Sequence, residues 1–157
     1  MTLTACARLF CLLGVFTLSV CVSPAHAIGV DEVISAPTVL ADLEAKAAQA
    51  EPRERCFLYT ELLHEWTEVA GRSLAAGDAP SAVFAMQHAD ANAGHLKEAI
   101  NRDSKRLKNA ELLLSHSVHR WSDMLRVSSM EQRDTVQAVL RHVSNVHDDL
   151  LAAVFTH

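Results

Sequence analysis

The stretch PRERCFLYTELLHEWTEVAGRSLAAGDAP, residues 52–80, decides the fold because it contains a complete helix and the turn that ends it. Pro52 suits the first position of a helix, where a missing N–H costs nothing. Gly77 suits the left-handed position that ends a helix, and Asp78 and Pro80 suit the cap and first turn of the next one. Between these boundaries, residues at helical steps form one core-facing stripe: Cys56, Tyr59, Leu63, Trp66, Ala70 and Ser73. The stretch therefore predicts an antiparallel helical hairpin.

Helical patterns also flank this hairpin on both sides. Residues 38–50 are rich in alanine and carry apolar side chains at helical spacing, which predicts a short first helix. Near the other end, Ser128 to Glu131 (SSME) matches an S-x-x-E capping box and predicts the start of a last helix. The inward-facing residues of that helix are Val136, Val139, Val143, Val146, Leu150 and Val154. No segment alternates at period two between turn residues, so no strand is predicted.

The segment after Pro80 is interpreted as one long helix. It contains no further proline and only one glycine, and its apolar residues keep one seven-residue register from Met86 to Met124. The unbroken register favours continuity to about Arg126. The alternative is a break near residues 101–104, where an aspartate or a serine can cap a new helix.

Together these elements predict an all-α fold. The expected architecture is an elongated antiparallel helical bundle, in which two helical hairpins share the long central helix. A thin bundle of this kind buries little surface per residue. We therefore expect a homodimer that covers the remaining apolar surface.

The first 27 residues have the three parts of a secretory signal peptide. Arg8 is the only charge before a 14-residue apolar run, Leu9 to Val22, and an Ala-x-Ala site follows. The run is shorter than the roughly 20 apolar residues of a membrane anchor, so no stable membrane insertion is expected after cleavage. We expect a cleaved signal peptide at 1–27, a flexible leader at 28–37 and a single helical domain at 38–157, exported to the periplasm or secreted.

Charge and motif content disfavour several classes of protein. Without the signal peptide the chain keeps 13 of its 14 Lys and Arg residues and all 19 Asp and Glu residues, a formal net charge of −6. This balance does not neutralise phosphates along a duplex, so no nucleic-acid partner is expected. The sequence has neither a G-x-S-x-G elbow nor a glycine-rich phosphate loop, and its serines fall in helices or caps. We therefore expect a protein that is not an enzyme.

A basic cluster in the predicted long helix is interpreted as a solvated face with helix-stabilising pairs, such as Lys108 with Glu111. Its members are Arg102, Lys105, Arg106 and Lys108. Binding of anionic envelope polymers or lipid headgroups is the alternative interpretation.

Cys56 is the one cysteine beyond residue 27, so an internal disulfide is not expected in the exported chain. We interpret it as a small core residue at the start of a helix. The alternatives are an intermolecular disulfide or a reactive thiolate, which the nearby Arg53 and Arg55 would favour.

Metal binding is the alternative function, because eight histidines remain beyond residue 27. Glu61 and His64 form an E-x-x-H pair, and His116 and His119 stand three residues apart, so each pair shares one helical face. These four residues are the candidate metal ligands, although zincins and di-iron bundles use further ligands that the sequence lacks. Haem is less favoured, because no C-x-x-C-H motif occurs and only a Met and a His remain as axial ligands. We expect no cofactor.

The hairpin also resembles one tetratricopeptide repeat through the spacing of Trp66, Ala70, Gly77, Ala82 and Ala89. It departs from that repeat at Ser73, Met86 and Gly94, and a shift by the repeat length of about 34 residues gives no second copy. A single repeat has no neighbour on which to stack. The resemblance therefore implies a tight helical hairpin and identifies no family.

These features predict an exported, non-enzymatic helical protein that acts through protein–protein or envelope contacts. The expected partner is a protein that the sequence does not identify. Aromatic side chains dominate the energetics of protein interfaces. The candidate interaction residues are therefore Tyr59, Trp66, Trp121 and Phe155. The alternative interpretation is that these aromatic side chains belong to the core.

Overall fold

Five α-helices make up the regular secondary structure of residues 37–155, which are the part of the chain that the computed structural model describes. They are α1 (Pro37–Gln49), α2 (Pro52–Ala75), α3 (Ala79–Ala99), α4 (Leu107–Val127) and α5 (Met130–Phe155). This part of the chain contains no strand, so the all-α prediction is confirmed for it. The predicted signal peptide at 1–27 and leader at 28–37 lie outside the described residues, except for Pro37, which begins α1.

The turn between α2 and α3 closes the predicted hairpin. Gly77 adopts a left-handed conformation with a φ of +73°, which a residue with a Cβ atom adopts only at a cost. The backbone N–H of Asp78 donates to the carbonyl of Ser73 at 2.9 Å and satisfies one of the last carbonyls of α2. The Asp78 carboxylate accepts from the Ser81 N–H at 3.1 Å and caps α3. Hydrogen bonds from Ser81 hold the pKa of this carboxyl below its ordinary value.

The prediction of one long central helix is wrong, because the chain leaves the helix after Ala99 and starts a new one at Leu107. In the loop between them, the side-chain oxygen of Asn101 accepts from the Asp103 N–H at 3.1 Å. The Asn101 carbonyl accepts from the Ser104 N–H at 2.9 Å. Short polar side chains that bond nearby backbone in this way compete with helix formation. The two hairpins, α2–α3 and α4–α5, therefore have no helix in common.

Contacts with the start of α2 hold this loop. The backbone N–H of Lys105 donates to the carbonyl of Arg53 at 2.8 Å, and Arg53 Nε donates to the carbonyl of Asp103 at 2.8 Å. Lys105 Nζ also forms an ion pair with Glu54 Oε1 at 2.6 Å. The break is therefore stabilised by residues about 50 positions earlier in the chain.

The basic cluster consequently does not form a helix face, contrary to the prediction. Three of its members lie in the loop, and Lys108 lies in the first turn of α4. Glu111, the predicted partner of Lys108, pairs instead with His147 at 3.3 Å.

The start of α5 is displaced by one residue from the predicted capping box. Ser129 precedes the helix, its Oγ donates to Gln132 Oε1 at 3.0 Å, and the Gln132 N–H donates to the Ser129 carbonyl at 3.2 Å. Ser128 belongs to the end of α4, where its Oγ donates to the Met124 carbonyl at 2.6 Å. The polar residues that start α5 are therefore Ser129 and Gln132, one position after the predicted pair.

The helices pack as two hairpins side by side. The most extensive contacts are those of α2 with α3, α4 with α5, α2 with α4, α3 with α5, and α1 with α2. Contacts between helices show in which direction each helix runs. Along α2, Glu54 contacts Lys105 and Thr67 contacts Trp121. Along α3, Asp90 contacts His142 and Lys97 contacts Asp149. Hence α2 and α4 run in the same direction, as do α3 and α5, while each hairpin is antiparallel within itself.

Trp121 is fully buried in the main core. Its Nε1 donates to Thr67 Oγ1 at 2.9 Å, and Thr67 donates in turn to the Leu63 carbonyl at 2.8 Å. All five helices contribute to this core, for example through Leu40, Leu63, Met86, Leu114 and Val143. A smaller apolar cluster between α1 and α2 consists of Ala47, Leu58 and Leu62. Across residues 37–155, no helix combines the length and the hydropathy needed to cross a membrane.

Candidate functional site

An open groove of about 310 Å³ is lined by residues of α1, α2 and α3. Tyr59 comes from α2, His88 and His95 come from α3, and Glu44 comes from α1. The other lining residues are Ala48, Leu62, Ala91 and Asn92. We call this depression the aromatic–histidine groove. It combines apolar walls with a few polar groups, as ligand sites in proteins commonly do.

Two ring stacks join α2 to α3 at this groove. Tyr59 stacks on His95 with ring centroids 5.2 Å apart, and Trp66 stacks on His88 with centroids 4.3 Å apart. The Phe84 centroid lies 4.5 Å from that of His88 and 5.8 Å from that of Trp66, which it meets edge to face. Aromatic pairs prefer such offset and edge arrangements. Phe84 nevertheless remains 54% exposed.

The register of the hairpin explains why these rings meet. Trp66 and His88 each lie 11 residues from Gly77, on opposite sides, and Tyr59 and His95 each lie 18 residues from it. In an antiparallel pair, residues equidistant from the turn lie beside each other, and a seven-residue step keeps them close to one face. The stacks could therefore be predicted from the sequence, although none of their histidines is among the predicted site residues.

Glu44 connects α1 to both helices of the hairpin. Its Oε1 accepts from Trp66 Nε1 and from His88 Nδ1, each at 3.2 Å. When Nδ1 is the donor, Nε2 of a neutral His88 keeps its lone pair. Asn92 Nδ2 donates to the His88 carbonyl at 2.8 Å. The carboxylate thus fixes the orientation of two rings with one oxygen.

The four predicted interaction residues occupy different environments. Tyr59 is half-buried at the groove, and Trp66 is buried behind Glu44 and Phe84. The packing of α4 on α2 places Trp121 in the core, fully buried, in agreement with the alternative interpretation of this residue as a core residue. Phe155, in the last turn of α5, is 75% exposed.

The predicted metal ligands do not come together. His64 Nδ1 lies 3.1 Å from Ser117 Oγ, and His119 Nδ1 donates to a carbonyl of its own helix at 3.0 Å. His116 is exposed, and burial raises the pKa of Glu61 above its ordinary value. Within residues 37–155, no group of three or more His, Cys, Asp or Glu side chains is arranged to hold a metal ion.

Two other histidines form hydrogen bonds between helices. His142 Nδ1 of α5 lies 2.7 Å from Asp90 Oδ1 of α3, and His147 Nε2 lies 3.3 Å from Glu111 Oε1 of α4. With the pair at Glu44, histidine–carboxylate contacts join α1 to α3, α3 to α5, and α4 to α5. These histidines therefore serve the packing of the helices.

Cys56 is a free, fully buried thiol, which confirms its interpretation as a core residue. Burial raises its pKa to about 11. The guanidinium groups of Arg53 and Arg55 bond elsewhere, to the carbonyls of Asp103 and Ala50. The thiolate interpretation has no support from this environment.

We expect Cys56 of the folded protein to react with iodoacetamide at pH 8 at least about 100-fold more slowly than in urea, because its pKa rises from 9.0 to about 11. The folded state keeps a proton that the unfolded thiol loses above pH 9. The resulting stabilisation is complete below pH 9 and disappears between pH 9 and about 11. Mass spectrometry follows the labelling, and urea unfolding of a Cys56→Ala control isolates the pH effect. Equal labelling rates in the folded and unfolded states would contradict the burial.

No protein-family model, curated protein or solved structure matches the chain. The chemistry of the groove is therefore the basis for a functional proposal. Ring faces attract cations, and a carboxylate forms charge-assisted hydrogen bonds with them. The small side chains of Ala48 and Ala91 leave space for an apolar stem.

Proposed function

We propose that this protein is exported and binds a partner protein through the aromatic–histidine groove, without catalysing a reaction. Export is proposed from the signal-peptide pattern of residues 1–27. The observation that carries the binding proposal is the pair of ring stacks beside the exposed Phe84. Rings that packing already holds in place lose little conformational entropy when a partner binds.

The groove favours a partner segment with a Lys or Arg side chain next to an apolar residue. The rings of Tyr59 and His95 offer faces that attract a cation. Both donors to Glu44 bond Oε1, so Oε2 makes no hydrogen bond within the described residues and is available to a cationic group. The full chain carries a net charge of −5, which also attracts a basic partner.

The hydroxyl and thiol groups also support a binding role over a catalytic one. A catalytic nucleophile needs access to substrate and an adjacent base. Several hydroxyls instead donate to carbonyls one turn earlier in their own helix, namely those of Thr60, Thr67, Ser117, Ser122 and Ser128. Cys56 is buried, and this burial raises its pKa to about 11.

The proposal is tested with short fluorescent peptides that carry one Arg or Lys between apolar residues, compared with the same peptides carrying Glu. We expect the basic peptides to bind at least about tenfold more tightly in fluorescence anisotropy. Phe84→Ala is expected to lower that affinity by about tenfold, because it removes the exposed ring. Glu44→Gln is expected to lower it as well, while its amide oxygen still accepts from Trp66.

Leu112→Ala is the matched control, because Leu112 is an exposed apolar residue on α4. Its peptide affinity is expected to equal that of the wild type. Equal binding of acidic and basic peptides, or wild-type affinity in Phe84→Ala, would refute the proposal. The other possible occupant of the groove is a second copy of this chain. In that case sedimentation equilibrium would detect a dimer, and Phe84→Ala would abolish it.

A further inference from the structure

A second cavity, of about 320 Å³, lies where the α3–α4 loop and the start of α4 approach the end of α5. Its lining residues are Arg102, Ser104, Arg106, Leu107, Lys108 and Val154. We call it the α4 cavity. A water molecule takes about 30 Å³ in the liquid, so the cavity has room for a small ligand. Three of its six lining residues are basic, in a chain with a net charge of −5.

The positive charge at this cavity is only partly neutralised by the protein. Arg102 and Lys108 form no ion pair within the described residues. Arg106 Nη2 lies 3.7 Å from Glu54 Oε2, and its guanidinium carbon lies 3.6 Å from the centre of the Phe57 ring. Glu54 also pairs with a lysine of the loop, at 2.6 Å. One carboxylate is therefore shared between two cations, and two more cations remain without a counter-charge.

The N-terminus of α4 lies at the same cavity. Arg106 precedes the helix in a left-handed conformation, with a φ of 59°, and its side chain makes no capping hydrogen bond. The Ala110 N–H donates to the Arg106 carbonyl at 2.9 Å in the first turn. Leu107 and Lys108 stand before the first residue whose N–H bonds a carbonyl of this helix. Their N–H groups therefore have no acceptor within the helix. Such N–H groups and the helix dipole favour an anion at this position.

Ser104 supplies an independent observation that points to a ligand. Only 8% of this residue is exposed, and its Oγ has no hydrogen-bond partner in the part of the chain that the structure describes. The residue lines the α4 cavity together with the three basic side chains. A buried hydroxyl without a partner is unfavourable, and an anion in the cavity would accept its hydrogen bond.

We propose that the α4 cavity binds a phosphate group. A tetrahedral oxyanion offers several strong acceptor oxygens, which match the cations Arg102 and Lys108, the free N–H groups of α4 and the Ser104 hydroxyl. The phosphate group is that of inorganic phosphate or of a lipid headgroup, because both present the same oxygens. This inference is independent of the aromatic–histidine groove.

The first test follows the thermal unfolding of the protein while inorganic phosphate replaces chloride at constant ionic strength. We expect phosphate to raise the unfolding temperature of the wild type in a saturable way. Arg102→Gln with Lys108→Gln is expected to weaken phosphate binding at least tenfold while leaving the circular dichroism unchanged. The control is Arg133→Gln with Arg141→Gln, which removes the same charge from exposed positions on α5. Equal phosphate responses in the two double variants would overturn the proposal.

Ser104→Ala gives a readout that a purely structural role would not produce. In chloride the variant is expected to be at least as stable as the wild type, because it removes an unpartnered buried hydroxyl. In phosphate it is expected to bind several-fold more weakly than the wild type. Lower stability in chloride together with unchanged phosphate affinity would show that Ser104 serves the fold and does not contact a ligand.

Vesicle flotation distinguishes the two sources of the phosphate group. Vesicles of phosphatidylcholine with phosphatidic acid are compared with vesicles of phosphatidylcholine alone. Binding to the acidic vesicles that inorganic phosphate displaces, and that Arg102→Gln with Lys108→Gln abolishes, assigns a lipid headgroup. Saturable phosphate binding without vesicle binding assigns the free ion. Vesicle binding that persists in the double variant would place the membrane contact elsewhere and count against the cavity.

Discussion

Replacing Trp121 by alanine is expected to lower the free energy of unfolding by about 3–5 kcal/mol, the usual cost of truncating a large buried aromatic side chain. Trp121 has no exposed surface, and its Nε1–H bonds Thr67 between α2 and α4. A loss of this size is a large part of the roughly 5–15 kcal/mol that stabilises a typical domain. Urea unfolding followed by far-UV circular dichroism measures it.

Phe155→Ala is the natural control, because both aromatic residues are predicted interaction residues and Phe155 is exposed in the last turn of α5. Its stability is expected to stay within about 0.5 kcal/mol of the wild type. The stability of Trp121→Phe is expected to lie between those of Trp121→Ala and Phe155→Ala, because this variant keeps most of the ring volume and loses the N–H group. Wild-type stability combined with lost peptide binding in Trp121→Ala would show that this residue contacts the partner.

Ala89→Leu is expected to destabilise the protein by about 1–3 kcal/mol through overpacking. Four alanines of α3 are fully buried in the core and leave no room for a longer side chain: Ala82, Ala85, Ala89 and Ala93. Since α3 also carries His88 and His95, a displaced helix would separate the ring stacks. The variant is therefore expected to lose both stability in urea and affinity for basic peptides.

The control is the same substitution at an exposed position of α5, Ala138→Leu, because it adds the same apolar atoms outside the core. It is expected to change the free energy of unfolding by less than about 0.5 kcal/mol. Similar stabilities of Ala89→Leu and Ala138→Leu would mean that α3 has space beside it, contrary to the close packing of its four alanines.

The α2–α3 hairpin was predictable because its signals are local. Gly77 ends one helix and Asp78 caps the next within a few residues, and both act through the adjacent backbone. The start of α5 was predictable to within one residue for the same reason, since Ser129 lies next to the predicted cap.

The heptad pattern does not reveal the break between α3 and α4, for two physical reasons. A loop of seven residues preserves a seven-residue register, so Ile100, at the start of the loop, and Leu107, directly after it, both still meet the core. The bonds that stabilise the loop come from Arg53 and Glu54, about 50 positions away. The local hydrogen bonds of Asn101 and the tertiary contact with α2 together stabilise the break, and a periodic pattern carries no sign of the second.

The candidate site was only partly predictable. Trp66 and Trp121 both lie on apolar stripes, and the stripe alone does not show which ring lies at a surface groove. That difference depends on α1, whose Glu44 bonds Trp66, and on α4, whose packing buries Trp121. His88 and His95 are two of the eight histidines beyond residue 27, and nothing in their local sequence distinguishes them. Their distances from Gly77 nevertheless identify their partner rings. The spacing of the basic residues predicts a cluster, but the loop that holds three of them depends on the contact with α2.

The helical register of α3 ties the aromatic–histidine groove to the core, because one helix carries both His88 and His95 and the four buried alanines. Each residue added to an α-helical segment rotates the remainder of that helix by about 100°. Adding one residue within the first turn of α3 would therefore turn His88 and His95 away from their partner rings and, in the same step, turn the buried alanines of α3 out of the core. Insertions and deletions in this first turn of α3 would therefore disrupt the groove and the core together. The chemistry of the groove can then change by substitution at fixed positions, of which Phe84 and His95 are exposed.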